Sequence, residues 1–191
     1  MKKTLLILAA LMLAIPFCGY AEEPAVAVKE AVKEAPKEFV VYLDRNARDN
    51  HYIPSGWMGD YGDIKINDQC AENPHSGTTS IQFTYSAKKS QNQGWAGVYW
   101  QNPANNWGSK KGGFDLTGMT KLTFWARGAK GGEVIQKVVV GGIKGTYSDT
   151  ATVEMGPIEL TDTWKQYTVN LAGKKESFNA FAFKRWHKLN R

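Results

Sequence analysis

Apolar and polar residues alternate with a period of two through most of the chain after Phe39, and no stretch sustains helical spacing with caps. The run FVVYL (39–43) predicts a first strand. A loop rich in Asn, Asp, Gly and Pro follows and contains IPSGWMGDYGD, with a short strand IKI expected at 64–66. In SGTTSIQFTYS, Ile81, Phe83 and Tyr85 fall on one face. AGVYWQ (96–101) predicts the next strand. TKLTFWARG sets Leu122, Phe124 and Ala126 against Thr123, Trp125 and Arg127. EVIQKVVVGG, ATVEMGPIEL and WKQYTVNL complete the series, and in the last Tyr167, Val169 and Leu171 alternate with Thr168 and Asn170. Many short strands separated by Gly, Pro and Asn turns predict an all-β fold, an antiparallel β-sandwich or barrel.

The amino terminus has a different texture. Lys2 and Lys3 precede an apolar run from Thr4 to Phe17 and the small-residue site Gly19-Tyr20-Ala21, the pattern of a secretory signal peptide over 1–21. The apolar run is too short to span a bilayer. Cys18 follows Phe17, whereas a lipid-attached cysteine follows a small residue, so cleavage after Ala21 and a periplasmic or secreted protein are expected. Residues 22–38 repeat Ala, Val, Lys, Glu and Pro without large apolar side chains and read as a flexible spacer. Residues 39–191 then form a single domain. Cys70 is the one cysteine left after cleavage, so the domain must rely on its core or on a bound ion rather than on an internal disulfide.

Charge narrows the partners. The chain carries 24 Lys+Arg and 18 Asp+Glu, yet the excess sits at the ends, and the body 39–173 has one net positive charge. That is no electrostatic footprint for nucleic acid. The chain closes with KRWHKLNR where a further apolar strand is expected. The pattern is that of a truncated or frame-shifted end, or of an exposed basic tail.

Motifs for catalysis are absent: there is no G-x-S-x-G, no H-E-x-x-H and no Cys/His metal pattern. The clusters GAKGGE (128–133) and GGIKG (141–145) read as tight β-turns. Asp60 and Asp63 are a carboxylate pair of the kind a glycosidase uses, but such pairs are common, and the chain is expected not to be an enzyme. The span holding Asp44, Asp49, Asp60, Asp63 and Asp68 is rich in the oxygens that Ca²⁺ takes six to eight of, so a structural calcium is one expectation, with turn chemistry as the other.

The stretch GWAGVYWQNPANNWGSKKGG (94–113) sets Trp95, Tyr99, Trp100 and Trp107 among Gln101, Asn102, Asn105 and Asn106. Aromatic faces stack on sugar rings and amides bond their hydroxyls. Because Trp125 alternates with Phe124, one of them faces away from a half-buried sheet. Trp57, Tyr61, Trp95, Tyr99, Trp107 and Trp125 are the candidate platform, with Asn105, Asn106 and Arg127 as polar partners. A non-catalytic module that binds a polysaccharide or other glycan is the leading expectation. A structural or protein-interaction domain of the envelope, its aromatics buried, is the alternative.

PHSGTTSIQFTY, GWAGVYWQ, FDLTGMTKLTFWARG and WKQYTVNL resemble the galactose-binding-like jelly-roll domains that include many carbohydrate-binding modules. The likeness spans Phe39 to Leu171. It implies a jelly roll, sugar bound on a concave face or at loop ends, and a structural calcium beside the first strand. Asp44 is the calcium candidate by position, joined by Asp68. In such domains a last-strand acid often helps hold the ion, and this chain lacks that strand.

Overall fold

The computed structural model describes residues 38–173, 177–178 and 180–187; the expected leader and nearly all of the spacer lie outside them. The described residues are all-β. Twelve strands are joined by turns and one short 3-10 turn at Tyr61–Asp63. They are β1 (Ile53–Gly59), β2 (Ile64–Cys70), β3 (Ser80–Tyr85), β4 (Ala96–Gln101), β5 (Phe114–Asp115) and β6 (Lys121–Ala126). β7 (Val134–Gly141), β8 (Thr152–Met155), β9 (Ile158–Glu159), β10 (Lys165–Asn170), β11 (Ser177–Phe178) and β12 (Ala180–His187) follow. A six-stranded sheet runs β1-β4-β12-β7-β8, with β9 also on β7. Three two-stranded ladders, β10-β6, β11-β5 and β2-β3, complete the set. Every pairing is antiparallel.

Alternation explains the core. Val98 and Trp100 of β4, Val138 and Val140 of β7, and Tyr167 and Val169 of β10 bury into one cluster, with Ile81, Phe83, Tyr85, Leu122 and Phe124 packed against it. Phe83 meets Trp100 edge-on, and Phe124 stacks on Tyr167. On its other face the large sheet buries Tyr99 and Val139 with Ile143 in a second, smaller cluster. Strands buried on both faces lose simple alternation, which is why β4 is buried at all six positions.

Three expectations are corrected. FVVYL is not a strand: Phe39, Val41 and Tyr42 pack against the core, and among the described residues its backbone bonds are to the segment just after it, the N–H groups of His51 and Tyr52 donating to the Val41 carbonyl. IPSGWMG, expected as loop, is edge strand β1. Proline is tolerated on an edge, and a register shift between Pro54 and Gly56 absorbs the irregularity. Lys184–His187, expected in a basic tail, continue β12, the strand that lies between β4 and β7 in the large sheet, and pair along β7. Lys184 pairs with Gly97 of β4 on one side and Lys137 of β7 on the other, while Trp186 and His187 pair with Ile135 and Val134 of β7, so the segment joins the sheet whatever its charge.

Candidate functional site

The nine candidate residues do not share one platform; the fold distributes them over three places. The first is the face of the β6-β10 ladder turned away from the core. Trp125 lies opposite Gln166 and Thr123 opposite Thr168, while Leu122, Phe124, Tyr167 and Val169 point inward. Trp125 is 43% exposed, and Thr123, Gln166 and Thr168 are exposed around it. His75, from the loop between β2 and β3, lies on the Trp125 ring with centroids 3.9 Å apart and planes 20° from parallel. The same imidazole meets Trp164 edge-on at 6.0 Å. Trp164 is tied by its Nε1–H to the Asn73 carbonyl at 2.9 Å, and the Arg127 guanidinium lies 5.4 Å from its ring centroid. Each such contact contributes about 0.5–1.5 kcal/mol, so the Trp125 ring is held in place before anything binds it. His75, Trp164 and Gln166 escaped sequence reading because their alignment with Trp125 exists only once distant segments meet.

The second place is built by the loops 102–113 and 142–149. Asn106 is fully buried and uses all four of its side-chain bonding positions: Nδ2 donates to the carbonyls of Lys110 (2.9 Å) and Asn102 (3.4 Å), and Oδ1 accepts from the N–H groups of Gly108 (3.1 Å) and Lys110 (3.2 Å). Gln101 Nε2 donates to the Asn106 carbonyl, and its Oε1 accepts from the Ser55 hydroxyl, which itself accepts from the Asn105 N–H. In the facing loop Asp149 accepts from the Ile143 N–H at 2.7 Å and donates its own N–H to the Ile143 carbonyl. The loops meet where the Tyr147 N–H donates to the Gly108 carbonyl at 2.9 Å. Trp107 (43% exposed) stands on this frame, edge-on to Tyr99 at 5.7 Å, with Tyr147 (45% exposed) on the adjoining loop.

Two candidates change role here. Tyr99 is 3% exposed and Asn106 fully buried, so neither offers a sugar-facing surface; Tyr99 supports Trp107 and Asn106 shapes its loop. Burial, with the charges of Asp149 and Glu154 behind it, pushes the Tyr99 phenol up to about 12, so it stays a protonated, neutral group. Asn105 remains exposed.

The third place surrounds the turn after β1. Trp57 lies opposite Val98 at the sheet edge and is partly exposed, Tyr61 is exposed, and Trp95 is half-buried. Gly59 and Trp95 touch through backbone, since a Cβ on Gly59 would collide with the Trp95 carbonyl. Asp60, fully buried, accepts from the N–H groups of Gln91 (2.8 Å), Gln93 (2.9 Å) and Gly94 (2.6 Å). Burial alone would raise its pKa; the amides of Gln93, Gln91, Gly94 and Trp95 outweigh burial and hold it below the ordinary carboxylate range. Asp63 accepts from the Lys89 N–H at 2.7 Å and from the Ser90 hydroxyl. The two carboxylates clamp the loop 86–95, and their oxygens are turned into that loop.

Asp44 and Asp68, the metal candidates, both bear on Tyr42. Burial first, then the charges of Asp68 and Asp44, push its phenol up to about 12 against the opposing Arg45. Asp68 is ion-paired to Arg45, and Asp44 accepts from the Asn46 N–H at 2.9 Å. Among the described residues no group of three or more His, Cys, Asp or Glu side chains is placed to hold a metal ion, and no helix is long and apolar enough to cross a membrane. No protein-family profile, curated protein or solved structure matches this chain.

Proposed function

We propose that the protein is an exported, non-catalytic carbohydrate-binding module whose sheets close as a jelly-roll sandwich, with the outer face of the β6-β10 ladder as its glycan-binding face. The exposed and clamped ring of Trp125 carries this reading. A pyranose presents a C–H face that stacks on an indole and a rim of hydroxyls that needs donors and acceptors. Thr123, Thr168 and Gln166 supply both beside that ring, and Arg127 adds donors only. The ring is fixed by His75 rather than by the ligand, so little ordering cost falls on binding. Exposure of Trp57, Trp107 and Trp125 favours this reading over an envelope-interaction domain with buried aromatics. The glycan reading also agrees with what the resemblance to galactose-binding-like domains implies. A structural calcium on Asp44 and Asp68 stays a proposal in which the ion displaces Arg45 from Asp68; a melting temperature unmoved by calcium addition or chelation would remove it.

Electrophoretic retardation in gels containing soluble polysaccharides tests the function. The wild-type chain is expected to be slowed by at least one glycan, and Trp125→Ala to lose about tenfold or more in affinity, the equivalent of one stacking contact of about 1.4 kcal/mol. Unretarded migration of the folded chain through the whole panel would turn attention to a protein partner.

A further inference from the structure

We infer that the loops 102–113 and 142–149 form a second glycan-contacting site, centred on Trp107 and Tyr147 and facing away from Trp125, so that one molecule bridges two glycan chains. This site presupposes the carbohydrate-binding reading above. Its direction follows from strand alternation. Val98 and Trp100 of β4, like Val138 and Val140 of β7, enter the main core, so Tyr99 and Val139 emerge on the opposite face of the large sheet. Trp107 stands on Tyr99 and shares that direction. Trp125 leaves the same core through β6, a strand outside the large sheet. In the sandwich arrangement the two rings emerge from opposite outer faces, and no single sugar ring can touch both.

The second site is built rather than incidental. Two large aromatics sit about half exposed on loops whose backbones are tied by buried Asn106, by the reciprocal bonds of Asp149 with Ile143, and by the Tyr147–Gly108 link. A Cβ on Gly108 would collide with the Lys144 carbonyl, so glycine at this positive-φ position (φ +85°) lets the loops close to backbone contact. Exposed Asn105, Lys110 and Lys144 lie on the same two loops and offer donors for sugar hydroxyls. Exposed aromatics with polar neighbours on fixed loops are the same chemistry as the Trp125 face, and the ligand class is therefore the same. Two outward sites on one domain convert modest single contacts into avidity on a polymer.

The test uses the full chain with soluble galactomannan, xylan, β-glucan and polygalacturonate, and with a hexasaccharide of whichever polymer retards it. Calorimetry with the hexasaccharide is expected to give two sites per chain for wild type, and one each for Trp125→Ala and for the double variant Trp107→Ala/Tyr147→Ala. Light scattering with the polymer is expected to show bridging that rises and then falls as protein is added, and that both variants abolish. Their apparent affinity for the polymer falls by about 10²-fold or more. Tyr147→Ala alone, at an exposed position outside the core, reports on the site where the double variant misfolds. One site per chain in wild type, unchanged by either loop substitution, overturns the second site and leaves the Trp125 reading intact. No binding by any folded form overturns both.

Discussion

His75 lies flat on Trp125, its centroid 3.9 Å from the indole, and so ties the loop between β2 and β3 to the outer face of the β6-β10 ladder. Fifty residues separate them in the chain, and the contact sets the ring on which glycan binding is proposed to depend. His75→Ala is expected to weaken glycan retardation by roughly 2–12-fold, the loss of a stacking contact of about 0.5–1.5 kcal/mol, while the melting temperature moves little. Unchanged retardation would show that the imidazole does not position Trp125.

The two tryptophans of β4 and β6 should behave oppositely on truncation. Trp100 is buried in the main core against Phe83, so Trp100→Ala is expected to cost about 3–5 kcal/mol in a denaturant titration. Trp125→Ala removes an exposed ring and should cost about 1.5 kcal/mol or less, chiefly its contact with His75. Comparable destabilisation by both would mean that Trp125 belongs to the core.

Asp60 makes stability depend on acid. Its pKa is held below the ordinary value, so its contribution is fully present above that value and is lost as pH falls through the lower, folded one. Wild type is therefore expected to lose melting temperature more steeply below about pH 4 than Asp60→Asn, which has no charge to lose. The variant is expected to be less stable already at neutral pH, because its amide group cannot accept at every position the carboxylate uses. Parallel pH curves for the two proteins would refute the clamp.

Asn106→Ala is expected to orphan the N–H groups of Gly108 and Lys110 together with the Lys110 carbonyl. The loss should be about 1–3 kcal/mol for each group that stays buried, read by chemical denaturation. Loosening of the loop should also alter the emission of Trp107. A stable variant with unchanged emission would show that the loop holds without this side chain.

Strand alternation made much of this fold legible from sequence. Ile81, Phe83 and Tyr85, then Leu122 and Phe124, then Tyr167, Val169 and Leu171 all turn inward as their period of two predicts, and the period requires nothing beyond one half-buried face. It misled where context overrode local pattern. FVVYL packs its apolar side chains against the core without a strand partner among the described residues, and Pro54 and Gly56 read as loop although a sheet edge admits both.

The candidate site divides the same way. That tryptophans and amides would be prominent was written in residues 94–113, but which rings meet solvent was not. Tyr99 and Trp100 are neighbours with identical local credentials, one buried under Trp107 and the other in the main core, because β4 is covered on both faces. Asn106 was read as a sugar partner, yet its four bonds go to its own loop, a fate set by where Lys110 and Gly108 return. Nothing in the sequence marked His75, Trp164 or Tyr147 as neighbours of the exposed rings. Local periodicity determines which side chains seek burial; only the long-range pairing of strands and loops decides which aromatic rings are left outside, and beside what.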